Sequence, residues 1–257
     1  MMANHPALVV ENISKAFGGV QAVDNVSFHI DTGESMVLIG PNGAGKTSIF
    51  NLIMGVFPVD SGKITLFGED ITKKPAQRRS ELGLMRTYQI CNLFNGLTVE
   101  ENLFMCLKNS PWNAPRGLKD YFLSWKSNQV RLDRITEVLK QIQLEDLRYV
   151  KVENISHGQQ RQLELGMALI SDPKVILLDE PMAGLSATER VFIGDIVRRI
   201  VTEKIVLVIE HDIEFALSIT NRVAVLNFGA LVTIGTPDEL RKSDEVQAIY
   251  KLDKTLD

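Results

Sequence analysis

Residues 36–50 read MVLIGPNGAGKTSIF. MVLI is apolar without a break, the mark of a short strand buried on both faces. The run stops at a glycine, and Gly40-Pro41-Asn42-Gly43-Ala44-Gly45-Lys46-Thr47-Ser48 follows, matching G-x-x-x-x-G-K-[ST]. Residues 47–57, TSIFNLIMGVF, are apolar on nearly every side and read as a buried helix. Strand, glycine-rich loop and helix in that order make a phosphate loop. The glycines let successive backbone N–H groups turn inward around an anion. Lys46 adds a mobile positive charge that can reach β- and γ-phosphates. The Thr47 hydroxyl can bind Mg2+, a hard cation that prefers oxygen.

Downstream, strands and helices alternate. A helix is expected over 159–170, a strand at VILLD (175–179), a helix near 187–202, a strand at IVLVIE (205–210), a helix over 212–219 and a strand at RVAVLN (222–227). Alternation of this kind implies an α/β fold with a mostly parallel sheet and right-handed crossovers. Ligands then sit beyond the carboxyl ends of the strands. Asp179 stands at one such end, where it can hold Mg2+ directly or through water. Glu180 comes one residue later and can accept a proton from the water that attacks a γ-phosphate. An Asp-Glu pair capping the next turn is the plain alternative, and the phosphate loop weighs against it. The strand 205–210 should deliver His211 to the same edge, where it can hydrogen-bond the γ-phosphate or the attacking water. A capping or surface histidine is the alternative there.

Upstream, residues 7–31 read as two strands joined at Gly18-Gly19. Asp60-Ser61-Gly62 reads as a turn before KITLFGEDI, a strand and loop. Residues 88–155 have a different texture. QVRLDRITEVLKQIQL (129–144) places Leu132, Ile135, Leu139 and Ile142 on one helical face. The proline- and aromatic-rich stretch 108–128 reads as an insertion. ISHGQQRQLE (155–164) then looks like another helix start, with Ser156 and a turn glycine at Gly158 ahead of a polar and apolar mix that can wind. A helix start is itself an anion site, so the chain carries two.

The bulk properties exclude several classes. The chain has 257 residues and a net charge of −4, which leaves no electrostatic footprint for nucleic acid. The one basic cluster, Lys73-Lys74-Pro-Ala-Gln-Arg78-Arg79, reads as a solvated face or loop. Two cysteines, Cys91 and Cys106, are too few for a disulfide framework and fit a reducing compartment. The four histidines lack zinc spacing. MMANHPALVV lacks the features of a signal peptide, and no apolar run approaches the ~20 residues that cross a bilayer. The expectation is a soluble chain able to dock on a membrane protein.

In order along the chain, GPNGAGKTS, ISHGQQRQLE, VILLDEP and IEHD resemble the motifs of the ATP-binding subunits of ABC transporters. The resemblance spans residue 8 to about 250. It implies a phosphate-loop NTPase with a RecA-like sheet core (1–88 and 159–257), an N-terminal antiparallel β subdomain and an α-helical subdomain at about 89–158, all in one domain over 1–257. It implies ATP and Mg2+, with residues 40–48 binding nucleotide, Phe17 stacking on adenine, and Gln89 contacting Mg2+ beside Thr47 and Asp179. Glu180, His211 and Lys46 carry the catalytic roles. ISHGQQRQLE is similar to the family signature, so Ser156, Gly158 and Gln159 are implied to contact nucleotide in a second subunit. His157 stands where glycine is common, Ile155 replaces leucine, and Ser186 replaces a frequent aspartate. The resemblance also implies paired ATP-binding subunits (homodimer or heterodimer) and transmembrane permease partners at the cytoplasmic face of the cell membrane. A solute-binding protein would complete the system, and no nucleic acid takes part. LFNGLTVEENL, SHGQQRQLELGMAL and the spelling IEHD resemble the branched-chain amino-acid uptake class, whose relatives move amides. A lipid or lipopolysaccharide exporter and a soluble non-transport ATPase of the family are the alternatives.

Overall fold

The fold is built outward from the strand that opens the phosphate loop, as seen in a computed structural model that describes residues 6–87, 93–107 and 129–253. That strand, β3 (Ser35–Ile39), is buried along its whole length. It ends at Gly40, and the helix α1 (Lys46–Met54) begins six residues later. The helix stops at Gly55, which adopts the left-handed conformation usual for a C-terminal cap. That is short of the residue-57 end expected from apolar character alone.

The described residues form two compact units. The first comprises Met1–Arg86, Lys174–Ala183 and Val197–Asp257. Within it lie two sheets. One is antiparallel, in the order β2-β1-β4-β5, from β1 (Pro6–Phe17), β2 (Val20–Asp31), β4 (Ser61–Leu66) and β5 (Glu69–Asp70). Gly18 and Gly19 join β1 to β2 as expected. At the expected turn, Asp60 instead accepts the Lys15 ammonium at 2.6 Å and the Ala16 N–H at 2.8 Å. Ser61 and Gly62 already belong to β4. The N-terminal β-sheet expectation holds.

The second sheet runs β10-β9-β3-β8-β7-β6, with β6 (Leu84–Arg86), β7 (Val175–Asp179), β8 (Ile205–Ile209), β9 (Arg222–Asn227) and β10 (Ala230–Gly235). From β9 to β6 all neighbours are parallel, and β10 adds an antiparallel edge. Strands β7, β8 and β3 are buried throughout because the crossover connections cover a parallel sheet. Leu8, Phe28, Phe50, Leu177 and Leu207 share one core in this unit. Burying each such side chain contributes roughly 1.5–3 kcal/mol. The architecture is that of a phosphate-loop NTPase.

The second unit comprises Thr87–Pro173 and Gly184–Ile196. Its core is helical: α3 (Val99–Met105), α4 (Gln129–Gln141) and α5 (His157–Leu169) pack on one another. Ile135, Leu139 and Ile142 are buried as the periodicity predicts, joined by Val138, whereas Leu132 is half-buried. Gly166 on α5 lets the helices approach. A Cβ there would lie 2.6 Å from Ile142 Cδ1 and 3.1 Å from Leu103 Cδ2, so larger residues at Gly166 would overpack this core.

In the basic cluster Lys73 and Arg78 are exposed as a solvated face requires, and only Arg79 departs from that expectation. Arg79, on α2 (Ala76–Glu81), is 2% exposed. Its Nη1 donates to the carbonyls of Leu52 and Ile53 at 2.6 and 2.7 Å, the last turn of α1. It is neither part of a solvated face nor free for a polyanion, because the carbonyls that end α1 need donors. Burial lowers its pKa to about 10.

Candidate nucleotide site

Strand register places the chemistry. Leu38 of β3 and Asp179 of β7 both lie opposite Ile209 of β8, so the three form one row across the sheet. Just past that row the strands release Gly40, Glu180 and Glu210. Parallel pairing therefore gathers the phosphate loop, the acidic pair and the histidine at one carboxyl edge, as their positions at strand ends imply.

The loop is held from outside. A Cβ on Gly40 would collide with the Leu226 carbonyl oxygen, and one on Gly45 with that of Ala22. Gly45 also has φ 98°, so only glycine fits this close, left-handed turn into α1. The N–H of Gly229, in the turn between β9 and β10, donates to the Ala44 carbonyl at 3.1 Å. Lys46 is 6% exposed, and its Nζ donates to the carbonyls of Gly40 at 2.5 Å and Pro41 at 2.9 Å. Pro41 and Ser48 are half-buried, while Asn42, Gly43 and Thr47 are exposed. Phe17, where β1 ends, is 39% exposed, with Phe57 packed edge-on at 5.3 Å between ring centroids.

Asp179 Oδ2 pairs with Arg86 Nη2 at 2.5 Å, both side chains nearly fully buried. Arg86 also donates to Asn51 Oδ1 on α1 at 2.6 Å. Sequence reasoning missed Arg86 altogether. Its only signal was a basic residue ending a short apolar strand, three residues before Gln89. His211 Nε2 lies 2.8 Å from Glu180 Oε1. Glu180 sits in the left-handed region, φ 47°, uncommon for a non-glycine residue. Glu210, also missed, is 4% exposed and accepts the N–H groups of Met182, His211 and Asp212. Burial pushes its carboxyl pKa up, and those three N–H groups oppose the shift.

Thr47 and Asp179 offer hydroxyl and carboxylate oxygens, a donor set that suits a hard divalent cation sharing its shell with phosphate. Among the described residues no cluster of three His, Cys, Asp or Glu could form a metal cage by itself. Gln89 and Cys91 lie outside the described residues, as does the 108–128 stretch.

Ser156, Gly158 and Gln159 fall in the second unit. Ser156 is the N-cap of α5 and forms a capping box. Its N–H donates to Gln159 Oε1 at 2.9 Å, and its Oγ accepts the Gln159 N–H at 3.3 Å. The Gly158 N–H donates to Glu189 Oε1 at 2.9 Å. Glu189 lies in the first turn of α6 (Ala187–Glu203), and its Oε2 accepts the Ser186 N–H and hydroxyl. The Ser186 bonds foremost, then the Gly158 N–H and the charge of His157, hold the Glu189 carboxyl below its usual pKa. Glu189 was not anticipated. The S-x-x-E spacing from Ser186 signals its capping box, but nothing local signals its reach to Gly158.

Residues 23–183 match the family described as ABC transporter. The branched-chain amino acid transport ATP-binding protein LivG of Salmonella typhimurium is 33% identical over 253 residues, covering 96% of this chain and 98% of that protein. The lipopolysaccharide export system ATP-binding protein LptB of Escherichia coli is 32% identical over 244 residues, covering 95% and 96%. Among solved structures, the ADP conformation of MJ1267, an ATP-binding cassette of an ABC transporter, superposes with a TM-score of 0.82 at 30% identity, covering 96% of this chain and 98% of that one.

Proposed function

This chain belongs to the ABC transporter family, an ATP-binding and ATP-hydrolysing one, and from that premise we propose that it energises uptake of branched-chain or related small amino acids or amides. The observation that carries the ATPase reading is the row Leu38–Ile209–Asp179, which gathers three loops at one sheet edge. The cargo class rests on identity with LivG across nearly both whole chains. LptB, at 32%, keeps lipopolysaccharide or lipid export as the second reading.

The roles follow from the chemistry. Residues 40–48 wrap the phosphates, and Lys46 leaves the Gly40 and Pro41 carbonyls for β- and γ-phosphate oxygens, since a charged partner makes the stronger bond. Thr47, Asp179 and Gln89 would hold Mg2+, which when bound supplies positive charge against the phosphates. Water attacks the γ-phosphorus, the bond to the β,γ-bridging oxygen breaks, and Glu180 takes the proton from the water. His211 holds the Glu180 carboxylate and faces the γ-phosphate. Phe17 stacks on adenine. Ser156, Gly158 and Gln159 serve the nucleotide held by the phosphate loop of a second ATP-binding subunit, for the isolated chain a second copy. The γ-phosphate then joins the two, and its loss releases them, a ligand-driven population shift. Among the described residues no helix is long and apolar enough to cross a membrane. As the names of its relatives suggest, the pair works from the cytoplasmic face, bound to transmembrane permease subunits, with a solute-binding protein presenting cargo.

Reconstitution in vesicles with the membrane subunits that co-purify tests this reading. Stimulation of ATP turnover by a branched-chain amino acid or short amide with its binding protein supports it. Stimulation by lipopolysaccharide or lipid alone overturns the cargo, and co-purification with nucleic acid or ribosomes instead of membrane subunits overturns transport.

A further inference from the structure

Glu210 is a buried carboxylate at the catalytic sheet edge to which the reading above gives no role. Its Oε1 accepts the Met182 N–H at 2.8 Å, on the loop after β7 that carries Glu180. Its Oε2 accepts the His211 N–H at 2.8 Å and the Asp212 N–H at 3.3 Å, on the loop after β8. One residue earlier, the Ile209 carbonyl accepts the Glu180 N–H at 2.9 Å. The strained left-handed backbone of Glu180 persists only if its surroundings over-determine it. The Ile209 carbonyl fixes that turn at Glu180 itself, and Glu210 fixes it two residues further on.

Burying a carboxylate is unfavourable unless its oxygens are hydrogen-bonded, and here both oxygens accept N–H groups. An apolar side chain cannot accept N–H groups from two loops at once. We infer that Glu210 is a positioning residue for ATP hydrolysis: its carboxylate locks the Glu180 loop to the His211 loop and so fixes the 2.8 Å contact between those side chains. Glutamine is a poor substitute despite its shape. It has one acceptor oxygen, so its NH2 group must face either Met182 or the His211–Asp212 pair, donor against donor.

The inference rests on Glu180 and His211 being the machinery proposed above, and the test separates the two. In the full-length chain, Glu210→Gln should lower kcat for phosphate release roughly tenfold or more, with KM and Kd for ATP within about twofold of wild type. Glu210→Asp keeps the charge but withdraws it by a methylene, and should show the same split. In a His211→Ala background, followed by single-turnover kinetics, Glu210→Gln should cost little more, because the contact it fixes is already gone. A purely structural role would cost the same factor in both backgrounds. Equal losses in both backgrounds, or unchanged kcat in both Glu210 variants while Glu180→Gln is slow, overturns the inference alone. Wild-type turnover from Glu180→Gln or His211→Ala overturns the assignment of those two residues, and this inference with it.

Discussion

In the loop after β3 a cation rests on neutral carbonyls, whereas at the start of α5 a backbone N–H already holds an anion. Lys46 bonds the Gly40 and Pro41 carbonyls, while the Gly158 N–H bonds the Glu189 carboxylate and Ser156 is closed into a box with Gln159. A phosphate arriving at the first site offers the Lys46 ammonium ionised oxygens in place of the Gly40 and Pro41 carbonyls and meets a loop braced from behind by Leu226, Ala22 and Gly229. A phosphate arriving at the second must exchange with a carboxylate. On the proposed reading, the difference teaches that the loop after β3 binds ATP by itself, whereas the start of α5 accepts a phosphate only when binding elsewhere has delivered it.

Four substitutions break or sharpen that contrast. Lys46→Ala should cut phosphate release on the order of a thousandfold, the loss of a charge aimed at the reacting phosphates. Turnover near wild type would remove the loop from catalysis. Ser156→Arg should cut turnover about a hundredfold yet leave fluorescent-ATP binding by the isolated chain intact. Loss of that binding would place Ser156 beside its own phosphate loop and erase the contrast. Glu189→Gln keeps an oxygen for capping but removes the competing charge, so the ATP concentration for half-maximal association should fall roughly fivefold. An unchanged midpoint in light scattering would mean the exchange carries no weight. Phe17→Ala should raise the Kd for ATP about threefold, since only stacking is lost. Unchanged affinity in a titration would make the ring packing for Phe57 alone.

The same contrast explains what the sequence disclosed. Strand β7 lies where VILLD predicts and β9 where RVAVLN does, because continuous apolar runs bounded by polar residues leave few choices. The loop after β3 and the cap at Ser156 are local chemistry, readable from adjacent residues. Arg86 and Glu189 act over long separations. Arg86 meets Asp179 only because β6 pairs with β7, and Glu189 meets Gly158 only when α6 and α5 are folded. Glu210 sat in plain view beside His211, but its three backbone partners belong to loops whose shape no local pattern gives. The burial of Arg79 was hidden for the same reason: its partners end α1, more than twenty residues earlier.

Mixing two inactive chains tests the shared site most directly. Lys46→Ala retains a working start of α5, and Ser156→Arg retains a working phosphate loop. Combined in equal amounts with Mg-ATP, they should regain roughly a quarter of wild-type turnover, because half the pairs are mixed and each mixed pair holds one intact composite site. If the mixture stays as inactive as its parts, each nucleotide is handled within one chain, and the account of two complementary anion sites is wrong.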